Sequence, residues 1–154
     1  MYQAMLSVSG IALPVLFLHR NFEQFCDTHL APYGLSHGLY MSLVYINRYP
    51  GCRPSELAEQ LNVNRGHVTR VVDKLQQLGY VKKAANDTDV RARTLHLTQE
   101  GAAIIGKIRE MFLLWEAQFE EDISTEEQKV LAALLKKLML HFLPEKEENG
   151  ISLS

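Results

Sequence analysis

A run of short and hydrogen-bonding side chains, Asn64, Arg65, Gly66, His67, Thr69 and Arg70, opens a segment whose apolar residues Val68, Val71, Val72, Leu75 and Leu78 recur at helical spacing. Such groups in the first turns of a helix suit the major groove of duplex DNA, where base edges present donors and acceptors and phosphates flank them. Arg65 can read guanine or hold a phosphate. Gly66 leaves room for close approach, although it weakens a helix by roughly 0.5–1 kcal/mol relative to Ala. His67 can donate to a base or a phosphate, or simply face solvent. Thr69, Arg70 and Lys74 fit phosphate anchoring, with an intrahelix pairing of Arg70 and Asp73 as the alternative.

A second basic group follows at Lys82, Lys83, Arg91 and Arg93. Lys82, Lys83 and Arg93 read as nonspecific phosphate neutralisers. Arg91 is the strongest candidate for a minor groove, where narrow width concentrates negative potential. Asp89 would repel phosphate, so its useful role is to orient Arg91 or its loop through hydrogen bonds. The competing reading of both is ordinary exposed turn chemistry.

Elements able to hold these groups are legible on either side. Residues 9 to about 31 form a first helix through Ile11, Val15, Leu18, Phe22 and Phe25, with Pro14 starting or bending it and Pro32 and Gly34 stopping it. Ser36 is a candidate N-cap for a second helix to about Arg48, broken by Tyr49-Pro50-Gly51. Pro54 suits the first turn of a short helix carrying Leu57, Ala58 and Leu61, and Asn64 can cap the next, which Gly79 ends. Two short helices joined by about three residues are the helix-turn-helix arrangement. After Gly79 the period changes to short alternating runs, Tyr80–Lys83 and Thr94–Leu97, joined by a charged tip with Asn86, Asp87 and Asp89. This predicts a two-stranded ribbon, with Val81, Leu95 and Leu97 facing the helices. Thr98 can cap a long helix from near Gly101 to about Glu121. Ser124 and Glu127 have capping-box spacing for a last helix to about Phe142, ended by Pro144. The expected fold is mainly α with a small β-wing: one domain over residues 1–154, comprising a winged helix-turn-helix head at 36–98 and helical dimerisation segments at 9–34 and 99–143. Wide apolar faces at both chain ends are better covered in a homodimer with interlocking terminal helices than in a monomeric bundle.

The formal net charge of -2 does not suggest a nucleic-acid partner, but its distribution does. Residues 47 to 98 hold nine basic against five acidic side chains, and the rest of the chain is acidic. One basic lobe on an acidic body can orient a molecule on a phosphate backbone. No stretch approaches 18 consecutive apolar residues. Ala12 to Leu18 follows no basic cluster and is soon interrupted by His19, Arg20 and Glu23, so neither a membrane span nor a secretory signal is expected, and the cytosol is the expected location. Cys26 and Cys52 have neither a C-x-x-C nor a zinc spacing.

The run SELAEQLNVNRGHVTRVVDKLQQLGYV from Ser55 to Val81, followed by DVRARTLHLTQEG from Asp89 to Gly101, resembles the MarR family of bacterial transcriptional regulators. The likeness rests on V-T-R-V-V-D-K-L, on G-Y-V at the start of the wing, on Asp89 and Arg91 as D-x-R, and on L-x-L-T-x-x-G after it; the order of helices extends it over residues 10 to 143. The resemblance implies a homodimer joined through the first helix and the last two, two heads reading a palindrome in double-stranded DNA, Asn64 to Leu78 as recognition helix, and Arg91 as wing arginine steadied by Asp89. It further implies repression of transcription and release by a small aromatic or phenolic ligand. Arg53 stands where the family often has a capping Thr, so the cap there is weaker or comes from another group. Gly66 and His67 replace a commoner Ser-Thr pair, which implies a distinct operator preference.

An effector cleft is expected from Phe22, Phe25, Tyr33, His37, Tyr40 and Tyr45, which flank the junction of the first two helices; ordinary core packing is the competing reading. Cys26 is the candidate for redox sensing, although Glu23 and Asp27 disfavour its thiolate and family peroxide sensors carry the cysteine nearer the start of that helix. The resemblance also disfavours zinc sensing, since zinc-responsive members of that family carry a histidine pair on the long helix after the wing and residues 99–123 contain no histidine; no metal or cofactor is expected. The sequence has no G-x-S-x-G, phosphate-binding glycine loop or H-E-x-x-H, so no enzyme is expected. A protein-interaction module built on a winged helix is the remaining alternative.

Overall fold

The computed structural model describes residues 10–85 and 93–142. Helix α1 spans Ala12–Leu30. Pro14 falls in its first turn, where the missing amide hydrogen is no loss, so it lies at the start of the helix. A 3-10 turn, Ala31–Tyr33, closes α1 and leads to α2, His37–Arg48. Ser36 has the extended backbone of an N-cap, yet its hydroxyl makes no capping bond. The cap comes instead from α1: the His37 amide donates to Asp27 Oδ1 at 3.1 Å.

Helices α3, Pro54–Gln60, and α4, Arg65–Gln77, form the helix-turn-helix. Pro54 is at the first position of α3, and the Asn64 side chain accepts from the His67 amide at 2.8 Å to cap α4. At the far end of α4, Gly79 takes φ +79°, which L side chains rarely adopt. The amides of Gly79 and Tyr80 then donate back to the carbonyls of Gln76 and Leu75, at 3.0 and 2.9 Å, closing a Schellman motif.

Strands β1, Val81–Ala85, and β2, Arg93–Leu97, pair antiparallel with Val81 opposite Leu97 and Ala85 opposite Arg93. The ribbon is longer than the alternating pattern indicates because Ala84, Ala85 and Arg93 join the ladder. Residues 51 and 52 extend it on the other edge: the Gly51 amide donates to the Leu95 carbonyl and the Leu95 amide to the Cys52 carbonyl, both at 2.9 Å. The predicted tip residues Asn86, Asp87, Asp89 and Arg91 lie outside the described residues.

Helix α5 spans Gln99–Ala117, two residues ahead of its predicted start and four short of its predicted end. Its early start follows from Thr98 Oγ1 accepting the Gly101 amide at 3.0 Å, which places the cap one residue before Gln99. Its early end follows from successive turns through Phe119 and Asp122 into Ser124. Helix α6, Thr125–Leu140, begins with the predicted capping box: Ser124 Oγ accepts the Glu127 amide and Glu127 accepts the Ser124 amide. It stops two residues before Phe142.

The chain forms two compact units, Met1–Trp115 and Glu116–Ser154. In the first, Cys26 and Leu30 of α1, Tyr40, Leu43 and Ile46 of α2, Leu57 of α3, Val68, Val72 and Leu75 of α4, Leu95 of the ribbon and Ile104, Ile108 and Met111 of α5 share one buried cluster. Each fully buried large aliphatic contributes about 1.5–3 kcal/mol relative to exposure. In the second, no residue of α6 is buried, and Leu134 is 56% exposed in a row with Val130, Leu131, Leu135 and Leu138. Val15, Leu16 and Phe17 of α1 and Leu113 and Leu114 of α5 are also exposed. Among the described residues no helix is long and apolar enough to cross a membrane.

Candidate nucleic-acid interface

Burial of Val68, Val71, Val72 and Leu75 fixes the rotation of α4 and leaves Arg65, Gly66, Thr69, Arg70, Asp73 and Lys74 exposed, with His67 half-buried. The Thr69 hydroxyl donates to the Arg65 carbonyl at 3.0 Å, which leaves its oxygen lone pairs as acceptors. Lys83 of β1 reaches Asp73 of α4 at 2.8 Å and ties the ribbon to the helix. Asp73 is thereby engaged by Lys83 and not by Arg70, the pairing the sequence left open. Arg65, Arg70, Lys74 and Lys82 have no acidic partner among the described residues. Arg93 is exposed at the start of β2, while Asp89 and Arg91 fall outside the described residues.

The substitute cap of α3 is Glu56. Its carboxylate accepts the Arg53 amide at 2.7 Å and the Arg53 guanidinium at 3.0 and 3.2 Å. The bond from the Arg53 amide holds the Glu56 carboxyl below its usual range, against a smaller opposing effect of burial and with further help from the guanidinium. A second anchor sits where α4 meets the wing. Tyr80 donates its hydroxyl to the Tyr33 carbonyl at 3.0 Å, and the Thr98 amide donates to the Tyr80 carbonyl at 3.0 Å.

The aromatic residues divide. Phe22 stacks on Phe112 with centroids 5.6 Å apart and meets the edge of Trp115 at 4.9 Å. Tyr40 touches Phe112 at 6.1 Å and His37 at 5.3 Å, so Phe22, His37 and Tyr40 belong to one cluster. His37 Nδ1 is buried there without a hydrogen-bond partner among the described residues. Phe25 instead stacks on His29 at 3.8 Å, Tyr33 accepts from Tyr80 and Tyr45 packs on Tyr49 at 4.9 Å. Phe112 and Trp115 were legible only as apolar positions of a helix. Nothing local signals their meeting with α1, which also includes the Trp115 indole donating to Asn21 at 3.1 Å.

Cys26 is fully buried, and its thiol lies 3.9 Å from the Tyr40 hydroxyl. Burial pushes the thiol up, the Tyr40 hydrogen bond opposes this, and the charges of Asp27 and Glu23 push it further up. Burial, then the charge of Glu56, raises the Cys52 thiol to about 11. Among the described residues no three His, Cys, Asp or Glu side chains are grouped to hold a metal ion.

A capped helix whose exposed Arg65, Arg70 and Lys74 have no acidic partner among the described residues, fixed by a short helix before it and a two-stranded ribbon after it, defines a winged helix-turn-helix protein. The MarR family profile matches residues 35–92. The HTH-type transcriptional regulator BilQ of Clostridioides difficile (strain CD3) is 32% identical over 126 residues, covering 82% of this chain and 85% of that protein. The HTH-type transcriptional regulator BilQ of Clostridium symbiosum (strain WAL-14163) is 34% identical over 118 residues, covering 77% and 82%. Wild-type MarR from E. coli in its apo form shares the fold with a TM-score of 0.74 at 23% identity, over 85% of this chain and 98% of that one. A mutant MarR from E. coli complexed with operator DNA has a TM-score of 0.69 at 24% identity, over 83% and 92%. The chain belongs to the MarR family of homodimeric winged helix-turn-helix DNA-binding transcriptional regulators, which are not enzymes.

Proposed function

We propose that this protein is a cytoplasmic repressor whose homodimer binds a palindromic operator and is released by a small aromatic or phenolic ligand. The observation that carries the reading is the uncommitted basic face of α4: Arg65, Arg70 and Lys74 stand exposed without acidic partners among the described residues. In this reading residues 36–98 are the DNA-binding head. Asn64, Arg65, Gly66, His67 and Thr69 approach bases or their flanking phosphates. Arg70, Lys74, Lys82, Lys83 and Arg93 neutralise the backbone, and Arg91 enters the minor groove steadied by Asp89. Segments 9–34 and 99–143 hold the dimer, which gives the exposed apolar rows of α1, α5 and α6 a partner.

The effector reading rests on the Phe22–Tyr40–Phe112–Trp115 cluster and the unpartnered His37 Nδ1, which together offer aromatic surface and one hydrogen-bonding anchor for a phenol. The deciding experiment is selection of bound fragments from a random duplex library at near-physiological salt. An inverted repeat with half-sites about one helical turn apart is expected; enrichment of nothing above background by folded, dimeric protein sinks the reading.

A further inference from the structure

Tyr80 stands between the end of α4 and the start of β1, and it is held from three sides. Its amide donates to the Leu75 carbonyl of α4 at 2.9 Å, and its carbonyl accepts the Thr98 amide, just ahead of α5, at 3.0 Å. Neither of those bonds depends on the side chain. The third does: the hydroxyl reaches across 47 positions of sequence to donate to the Tyr33 carbonyl at 3.0 Å. Tyr33 ends the turn that closes α1, and Gly34 after it takes φ +70°. The same turn presses on the C-cap of α4, since a Cβ on Gly34 would stand 2.9 Å from Leu78 Cδ2. The α1–α2 junction thus bears on the C-terminal end of α4 at two neighbouring points, one apolar and one a directional hydrogen bond. Burial, then the charge of Tyr33, raises the Tyr80 phenol above its usual range, so it keeps the proton it donates at neutral pH.

Burial of Val68, Val71, Val72 and Leu75 fixes the rotation of α4 about its axis. Apolar contact is non-directional, however, and leaves small tilts of that axis open. The 13 residues of α4 span about 20 Å, so a tilt of about 5° pivoting at the Leu78 end moves the Arg65 end by about 1.7 Å. That exceeds the roughly 0.5 Å range of good N–H···O lengths. We infer that the Tyr80 hydroxyl is a positioning group: it sets the tilt of α4 and its ribbon against the α1–α2 junction, and through that tilt the fit of Arg65, Thr69 and Arg70 to duplex DNA. The tilt stands on the contacts above; the fit rests on the DNA-binding reading of α4 proposed above.

Tyr80→Phe removes the hydroxyl and keeps the ring. Ser42→Ala is the control for stability alone, because it removes a buried hydroxyl that bonds only within α2, to the Gly38 carbonyl. In full-length protein, residual dipolar couplings of backbone amides report the orientation of α4 relative to α2. Titrations with the duplex selected by wild type and with a scrambled duplex report the fit. Tyr80→Phe should shift the α4 couplings while those of α2 still match wild type, with Tm lowered by no more than about 5 °C. Affinity for the selected duplex should fall about two- to tenfold, the worth of one hydrogen bond, while the scrambled duplex is bound as before. Ser42→Ala should leave the couplings and the ratio of the two affinities unchanged. Unaltered α4 couplings in Tyr80→Phe, a ratio that stays at the wild-type value, or an equal change of ratio in Ser42→Ala overturns the inference. Wild-type protein that selects no duplex sinks the regulatory reading and the fit with it, and the couplings then decide the tilt by themselves.

Discussion

The Thr98 hydroxyl donates to the Gly79 carbonyl across 2.6 Å while accepting the Gly101 amide at 3.0 Å. One side chain therefore joins the residue that ends α4 to the first turn of α5. The junction is close enough that a Cβ on Gly101 would fall inside the Tyr80 carbonyl group. Backbone of the wing and backbone of α5 are in direct contact there.

Gly101→Ala should consequently cost roughly 1–3 kcal/mol, the usual range for forced overpacking, and lower Tm by several degrees. Gly106→Ala is the contrasting variant. It lies in the same helix with nothing within 4 Å and should gain about 0.5–1 kcal/mol. Thermal unfolding of both checks the pair, and equal behaviour would refute the close approach.

Glu56→Gln should lose the charged part of the α3 cap. The folded carboxyl titrates below its ordinary value of 4.5, so its contribution is fully present above that pH and disappears as pH falls through the depressed folded value. Because the side chain is 39% exposed, screening limits the loss at pH 7 to about 1 kcal/mol or less. Urea unfolding of the two proteins should differ at pH 7 and converge near pH 3; a constant difference would mean the carboxylate charge is not what caps α3.

Asp73→Asn should strengthen duplex binding, because it deletes an acid from the basic face of α4 and frees Lys83 for phosphate. Affinity should rise at low salt, and the salt slope should steepen by up to about 0.9 per protomer. Unchanged affinity and slope would show that Lys83 and its surroundings stand clear of the duplex.

Both thiols should resist disulfide-exchange reagents in the folded protein at pH 8 and react on unfolding, since burial raises Cys26 and holds Cys52 near 11. The redox alternative makes the opposite demand. If peroxide releases DNA from wild type and not from Cys26→Ser, the sensor is Cys26.

Arg91→Ala should weaken specific binding, and Arg65→Ala should alter preference among base pairs if Arg65 reads an edge. A uniform loss across sequences for Arg65→Ala would assign it to phosphate instead. Operator titrations with single-base variants separate the two.

Local chemistry made much of this fold legible. Pro54, Asn64, Gly79 and the Ser124–Glu127 pair each act within one turn of their own position, and each marks the boundary it was read to mark. The wing was read short because Ala84 and Ala85 carry no alternation, although their backbone still pairs. Long-range relations were not readable. Ser36 stands at the N-cap position that its sequence context marks, but its hydroxyl makes no capping bond, and the side-chain acceptor for the first turn comes from Asp27 on the preceding helix. The aromatic cluster needs Phe112 and Trp115 to return to Phe22, and spacing holds no trace of that meeting. Of the candidate DNA contacts, the sequence marked the α4 residues by their helix phase, but only the position of Lys83 revealed which cation Asp73 engages.

The bond between Asp27 and the His37 amide bears on how such a protein can be cut and recombined. A fragment beginning at residue 36 would start α2 without its cap and would also lose Cys26 and Leu30 from the core that seats Tyr40 and Leu43. Grafting the helix-turn-helix and its ribbon onto another protein would require the C-terminal half of α1 to travel with them, so the smallest transplantable cassette begins inside the first helix.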